Sequence, residues 1–180
     1  MRQLIVAFGI TTLTATVAIA QGSGQKPSPS AMQADHSMML MDADFAYLMG
    51  MHHRSGIEMA KVEEARGSSS EVKRLAARIR QGQERDLPTL TQYGSKAKKS
   101  GMVASHEKQM EKEHQASMAK LKSATGSAVD KAFAEEMSKH HQKALDMIKQ
   151  AHLADSRLKQ TTDKMAAAQK QELAELKTVR

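Results

Sequence analysis

The chain has 180 residues, a formal charge of +7, fourteen methionines, no cysteine and no tryptophan. Without thiols it can build neither a disulfide nor a thiolate metal centre. Aromatic residues make up 3%, too few for the stacking platforms of single-stranded nucleic-acid binders, so nucleic acid is not an expected partner and the interleaved Lys and Glu read as a solvated helical face.

Arg2 gives a positive start, Leu4 to Val17 carries no charge, and Ala18-Ile19-Ala20 is a small-x-small cleavage site. Residues 1–20 are therefore read as an export signal cleaved after Ala20. No later stretch is apolar enough to span a bilayer, which takes about 20 residues. The expectation is a periplasmic protein without stable membrane insertion. Thirteen of the fourteen methionines follow Ala20. Residues 21–41 begin with Gln, Gly, Ser and Pro and read as a flexible segment. It ends in the soft donors His36, Met38, Met39 and Met41, a candidate capture cluster of low specificity.

From Asp42 helical periodicity takes over. A first helix is predicted over 42–66, with Asp42 as N-cap and Gly67 as stop. A second begins at Ser68–Ser70 and buries Val72, Leu75, Ala76, Ile79, Gln83, Leu87 and Leu90. Pro88 is expected to kink or fray it near its end. Residues 102–122 form a further helix. After Gly126 another runs from Asp130 to about Ala154, and Asp155-Ser156 turns the chain into a last helix over 157–178.

Two of these segments are copies. Asp42-x-x-Phe45-x-x-x-Met49-x-x-His52-His53-x-x-x-Ile57-Glu58-Met59 matches Asp130-x-x-Phe133-x-x-x-Met137-x-x-His140-His141-x-x-x-Leu145-Asp146-Met147 at a constant offset of 88. The helices that follow match too: Gln83-x-x-Asp86-Leu87-x-x-Leu90 and Gln169-x-x-Glu172-Leu173-x-x-Leu176 lie 86 apart. The two-residue change falls in the inter-helix loop, where length varies most easily. The duplicated unit is thus a helical hairpin, covering 42–93 and 130–178, with 94–129 as connector. Neither hairpin can bury its apolar face alone. Docking them predicts an all-α four-helix bundle, one domain over 42–180, with the extra helix in the central crossover.

The repeated histidines and methionines suggest a site as well as a scaffold. Met49, His52, His53 and Met59, with Met137, His140, His141 and Met147, are the first-choice metal ligands. Thioether suits Cu(I) and imidazole serves either copper state. Zinc usually takes Cys, His or carboxylate, so the methionines argue against it. Gln83, Gln169, Asp86 and Glu172 are candidates to fix the imidazole tautomers from behind. His106, Met110, His114 and Met118 form a second-choice stripe spaced by four. A di-iron centre would need a Glu-x-x-His on each of two helices. Only Glu111-x-x-His114 provides one, outside the duplicated units, and no catalytic triad or phosphate loop is present, so an enzyme is not expected.

The Asp-x-x-Phe-x-x-x-Met-x-x-His-His motif, followed by Gln-x-x-Glu/Asp-Leu, resembles the DUF305 family of exported, ferritin-like helical proteins. Within the pattern, Ile148 replaces the small residue found at Ala60, and Leu90 and Leu176 stand where Met is common. The resemblance implies a ferritin-like bundle and, because some members bind copper in the periplasm, a role in sequestering or transferring Cu(I), with Cu(II) or Ag(I) as further cargo. It also implies a copper-trafficking protein as a candidate partner. The alternative is a non-enzymatic helical adaptor or chaperone that docks other proteins. Because binding needs neutral imidazole, copper affinity is expected to fall below about pH 6.

Overall fold

Start and stop signals in the chain delimit five helices: α1 (Asp42–Arg66), α2 (Ser70–Gly94), α3 (Gly101–Ser123), α4 (Ser127–Gln150) and α5 (Ser156–Leu176). The structure, a computed structural model, describes residues 39–179. The export signal, His36 and Met38 lie outside the described residues. Ser69, Ser100 and Asp155 cap α2, α3 and α5, each side-chain oxygen accepting a backbone N–H from the first turn, as free N–H groups at a helix start require. Pro88 does not break α2. It is solvent-exposed, and the helix runs on to Gly94.

The helices form a four-helix bundle in the ring order α1–α2–α5–α4, with α3 laid over α1 and α4. Neighbours in the ring run antiparallel. Gly94 closes the first hairpin: a Cβ there would stand 2.8 Å from the Cα and the N of Tyr47, so only glycine permits this approach. α3 travels back beside α1. At one end Tyr47 donates to Glu107 (3.1 Å). At the other, the Arg66 guanidinium donates to the carbonyls of Leu121, Lys122 and Ala124.

Asp42 is not the cap of its own helix. Met41 occupies that position without a side-chain cap, and the Asp42 carboxylate accepts from the N–H groups of Ala154 (2.8 Å) and Asp155 (3.1 Å) in the other hairpin. Its copy Asp130 accepts from Ser68 (3.1 Å) and Ser69 (3.0 Å) in the first hairpin. Each duplicated aspartate thus latches the opposite inter-helix loop, and the pair of latches fixes how the hairpins dock. One local feature has no counterpart in the periodicity. α4 ends at Gln150, and Ala151–His152 (β2) pairs in parallel with Leu40–Met41 (β1). Leu40, placed by sequence in the flexible segment, is 1% exposed and part of the core.

The apolar core is split in two. One cluster gathers Met59, Ala60, Ile79, Phe133, Met137 and Leu176. The other gathers Phe45, Met49, Leu90, Ala144, Leu158 and Met165. On each helix of the bundle a polar position falls between them: His52 and His53, Gln83, His140 and His141, Gln169. These six buried side chains form a belt across the middle of the bundle.

Candidate metal centre

The belt explains why the histidine motif is doubled. His52 and His140 meet face to face across the α1–α4 contact, ring centroids 3.6 Å apart and planes within 5°. The Nε2–H of His52 donates to the carbonyl of His140 (3.0 Å). Because a carbonyl only accepts, that proton sits on Nε2 and the lone pair on Nδ1. His53 and His141 turn the other way. His53 Nε2 meets Asp86 on α2 (3.4 Å) and His141 Nε2 meets Glu172 on α5 (2.7 Å). Each carboxylate thereby leaves the Nδ1 lone pair of its imidazole facing inward, buried and without a partner among the described residues. This is the arrangement in which a carboxylate orients a ligating histidine.

The four histidines do not converge on one point. Stacked rings hold their in-plane lone pairs side by side, and the other two imidazoles point to different helices. Among the described residues no group of three or more His, Asp or Glu side chains is placed to hold an ion. A metal here therefore needs thioether donors. Seven belt atoms lack a hydrogen-bond partner among the described residues: Nδ1 of His53 and of His141, Nε2 of His140, and both amide atoms of Gln83 and of Gln169. Native cores rarely leave so many polar atoms unmatched.

One cavity of about 250 Å³ opens beside the belt, between α1, α3 and α4. It is lined by His52 and Met59 from α1, Met110 and His114 from α3, and His140 from α4. The first-choice and second-choice sequence sets thus contribute to one place, which helical spacing on separate segments could not reveal. His114 Nε2 bonds Glu58 (2.8 Å), and its Nδ1 is buried without a partner among the described residues. The rim is charged: Glu136 holds Lys120 (2.6 Å) and Lys139 (3.0 Å), and Lys143 pairs with Glu113. Burial would raise the Glu136 carboxyl, but hydrogen bonds from Lys120, Ser117 and Lys139 hold it at about 2.

The remaining candidates lie elsewhere. Met49 is fully buried in one core cluster, and Met147 packs against it. Met137 is buried in the other cluster, which also holds Met59, and Met118 packs on that cluster from α3. His106 points outward and donates from Nδ1 to the carbonyl of Met102 (3.0 Å). Met39 and Met41 lie at the β1–β2 end, together with His152, which no sequence pattern singles out.

Burial, and then repulsion from neighbouring imidazoles, drives the His52 pKa down to about 3 and that of His140 well below its ordinary value. Both shifts favour the neutral ring. At these two rings burial opposes the protonation on which the affinity loss expected near pH 6 rests.

The DUF305 family, described as a domain of unknown function, matches residues 16–93 and again 42–180. The chain belongs to this family. Two solved structures share its fold. A DUF305 protein from Streptomyces coelicolor, described as secreted, is 22% identical, with a TM-score of 0.64 over 75% of this chain and 88% of its own. CopM, solved in a Cu(II)-bound form, is 21% identical, with a TM-score of 0.61 over 77% of this chain and 95% of its own. No curated protein matches the sequence. The described helices include none long and apolar enough to cross a membrane.

Proposed function

We propose that this protein is an exported, non-enzymatic copper carrier that binds Cu(I) in the cavity beside the histidine belt. The observation that carries the reading is the joint lining of that cavity by two thioethers, Met59 and Met110, and three imidazoles, His52, His114 and His140. Thioether sulfur and neutral imidazole are ligands for Cu(I), and the two carboxylates of the lining, Glu113 and Glu136, are already paired with Lys143, Lys120 and Lys139. Burial disfavours a second, charging proton on His52 and His140, so both rings can offer a lone pair without first losing a proton. The copper-bound form of CopM, a structure with the same fold, supports this reading. So does the signal-like N-terminus, which would deliver the chain to the periplasm, where a copper-trafficking protein would be its partner.

An adaptor that docks other proteins would display an apolar face. Among the described residues the exposed large hydrophobics reduce to Met41, which argues for the carrier.

The test is an anaerobic Cu(I) competition titration of the mature chain against a chromogenic chelator. Met59→Leu with Met110→Leu conserves volume, so it should cost less than about 1.5 kcal/mol per site in stability. Copper affinity should drop at least about tenfold, or roughly 1.4 kcal/mol. Affinity unchanged in this variant would remove the cavity from the reading.

A further inference from the structure

The β1–β2 pairing builds a second cluster of soft donors at the end of the bundle remote from the Asp130 latch. The parallel register sets Met41 beside His152. Alternation along a strand turns Met39 to the same side as Met41, while Leu40 between them goes into the core at 1% exposure. All three donors line one open groove, with Ile148, Leu153 and Thr162 around them. Met41 is 54% exposed, an uncommon position for an anchoring residue. The backbone fixes the donors relative to one another: the ladder holds β1 to β2, and Asp42 clamps the N–H groups of Ala154 and Asp155 just beyond. The acidic side chain lining the groove, Asp163, is tied to Lys159 (2.9 Å).

The cluster is not a by-product of the duplication. The position equivalent to His152 in the first hairpin is Glu64, which pairs with Arg80 (2.6 Å). Packing residues repeat between the hairpins; His152 does not.

We propose that Met39, Met41 and His152 form a separate surface Cu(I) site, an open capture point distinct from the buried cavity. The inference rests on the copper reading above. Two thioethers and an imidazole at the surface match a low-coordinate soft cation, and exposure lets an ion enter and leave without moving a helix.

The experiment titrates anaerobic Cu(I) into the mature chain and into the Met41→Leu/His152→Gln variant, with methionine methyl NMR as a second readout. Both positions are exposed, so far-UV CD should be unchanged. The wild type should show methyl shifts at Met39 and Met41, and the variant should bind one Cu(I) fewer while the Met59 and Met110 methyls still respond. Equal stoichiometry in the two proteins, with no shift at Met39 or Met41, would overturn the surface site and leave the cavity standing. A wild type that binds no Cu(I) would overturn both.

Discussion

Asp42 and Asp130 do the same work in the two hairpins, each latching the opposite loop, but in different surroundings. Asp42 is half-exposed and binds Ala154 and Asp155 N–H groups beside the short β1–β2 pairing. Asp130 is 4% exposed and shares its site with Glu63, a fully buried carboxyl whose equivalent in the second hairpin is Ala151. Burial first, and then the adjacent Asp130, raises the Glu63 pKa to about 8. Burial alone would raise Asp130 too, but the N–H groups of Ser69 and Ser68 and the Glu63 proton hold its pKa down. The duplication kept the belt and both latches; it let the bundle ends diverge, one towards a buried proton and the other towards exposed soft donors.

The sharpest way to break this comparison is to remove each latch. Asp130→Ala leaves the part-buried N–H groups of Ser68 and Ser69 without an acceptor beside the buried Glu63, and should cost about 2–4 kcal/mol. Asp42→Ala exposes its donors to water and should cost about 1–2 kcal/mol. Urea denaturation of both variants checks the ratio. Equal losses would mean that the two ends are energetically alike.

The buried proton sets a smaller, pH-dependent difference. Glu63 has an ordinary pKa of 4.5 and a folded pKa of about 8. Between those values the folded protein keeps a proton that the unfolded chain has released, so stability falls as pH rises through that window. The slope is at most about 1.4 kcal/mol per pH unit. Glu63→Gln keeps the side chain's shape but cannot ionise. It should gain about 2 kcal/mol on the wild type between pH 6 and 8. Parallel stability profiles for the two proteins would refute the raised pKa of Glu63. The belt works in the opposite sense. With His52 lowered from 6.5 to about 3, stability is lost as pH falls through that range, because the unfolded chain takes up the proton first.

Much of this was legible in the sequence, for a physical reason. Periodicity and duplication report local structure and shared faces, so the five helices and the bundle follow from spacing. Asp86 and Glu172 stand out as candidates to orient imidazoles, but spacing does not say which histidine each meets. Long-range partners chosen by unlike residues do not. Asp42 looked like an N-cap because an Asp before a helix usually is one; only the docked hairpin shows that its acceptor is used elsewhere. Met110 and His114 belonged to a stripe whose neighbours were unknowable until α3 was laid over α1 and α4. His152 and Glu63 carry no repeat signal at all, since their copies are Glu64 and Ala151.

The finest contrast between the hairpins lies inside the belt, at Gly56 and its equivalent Ala144. A Cβ at Gly56 would stand 2.4 Å from the Gln83 amide oxygen and 2.7 Å from His140 Nε2. The missing methyl is therefore what lets the imidazole of His140 reach towards Gln83, and Ala144 shows that the scaffold itself tolerates a side chain at this register. Gly56→Ala gains about 1 kcal/mol in helix propensity but must displace two buried groups, which costs about 1–3 kcal/mol. The net should be a loss of about 1 kcal/mol, with the His140 ring signals shifted in NMR and Cu(I) affinity reduced. Ala144→Gly should cost a similar amount through propensity and a lost methyl contact, yet leave the His140 signals in place. Equal stability losses with different effects on His140 would show that the first hairpin yielded a core position to the histidine of the second. If His140 responds alike in both variants, the glycine is only a packing choice, and the asymmetry of the belt must come from the α3 side of the cavity.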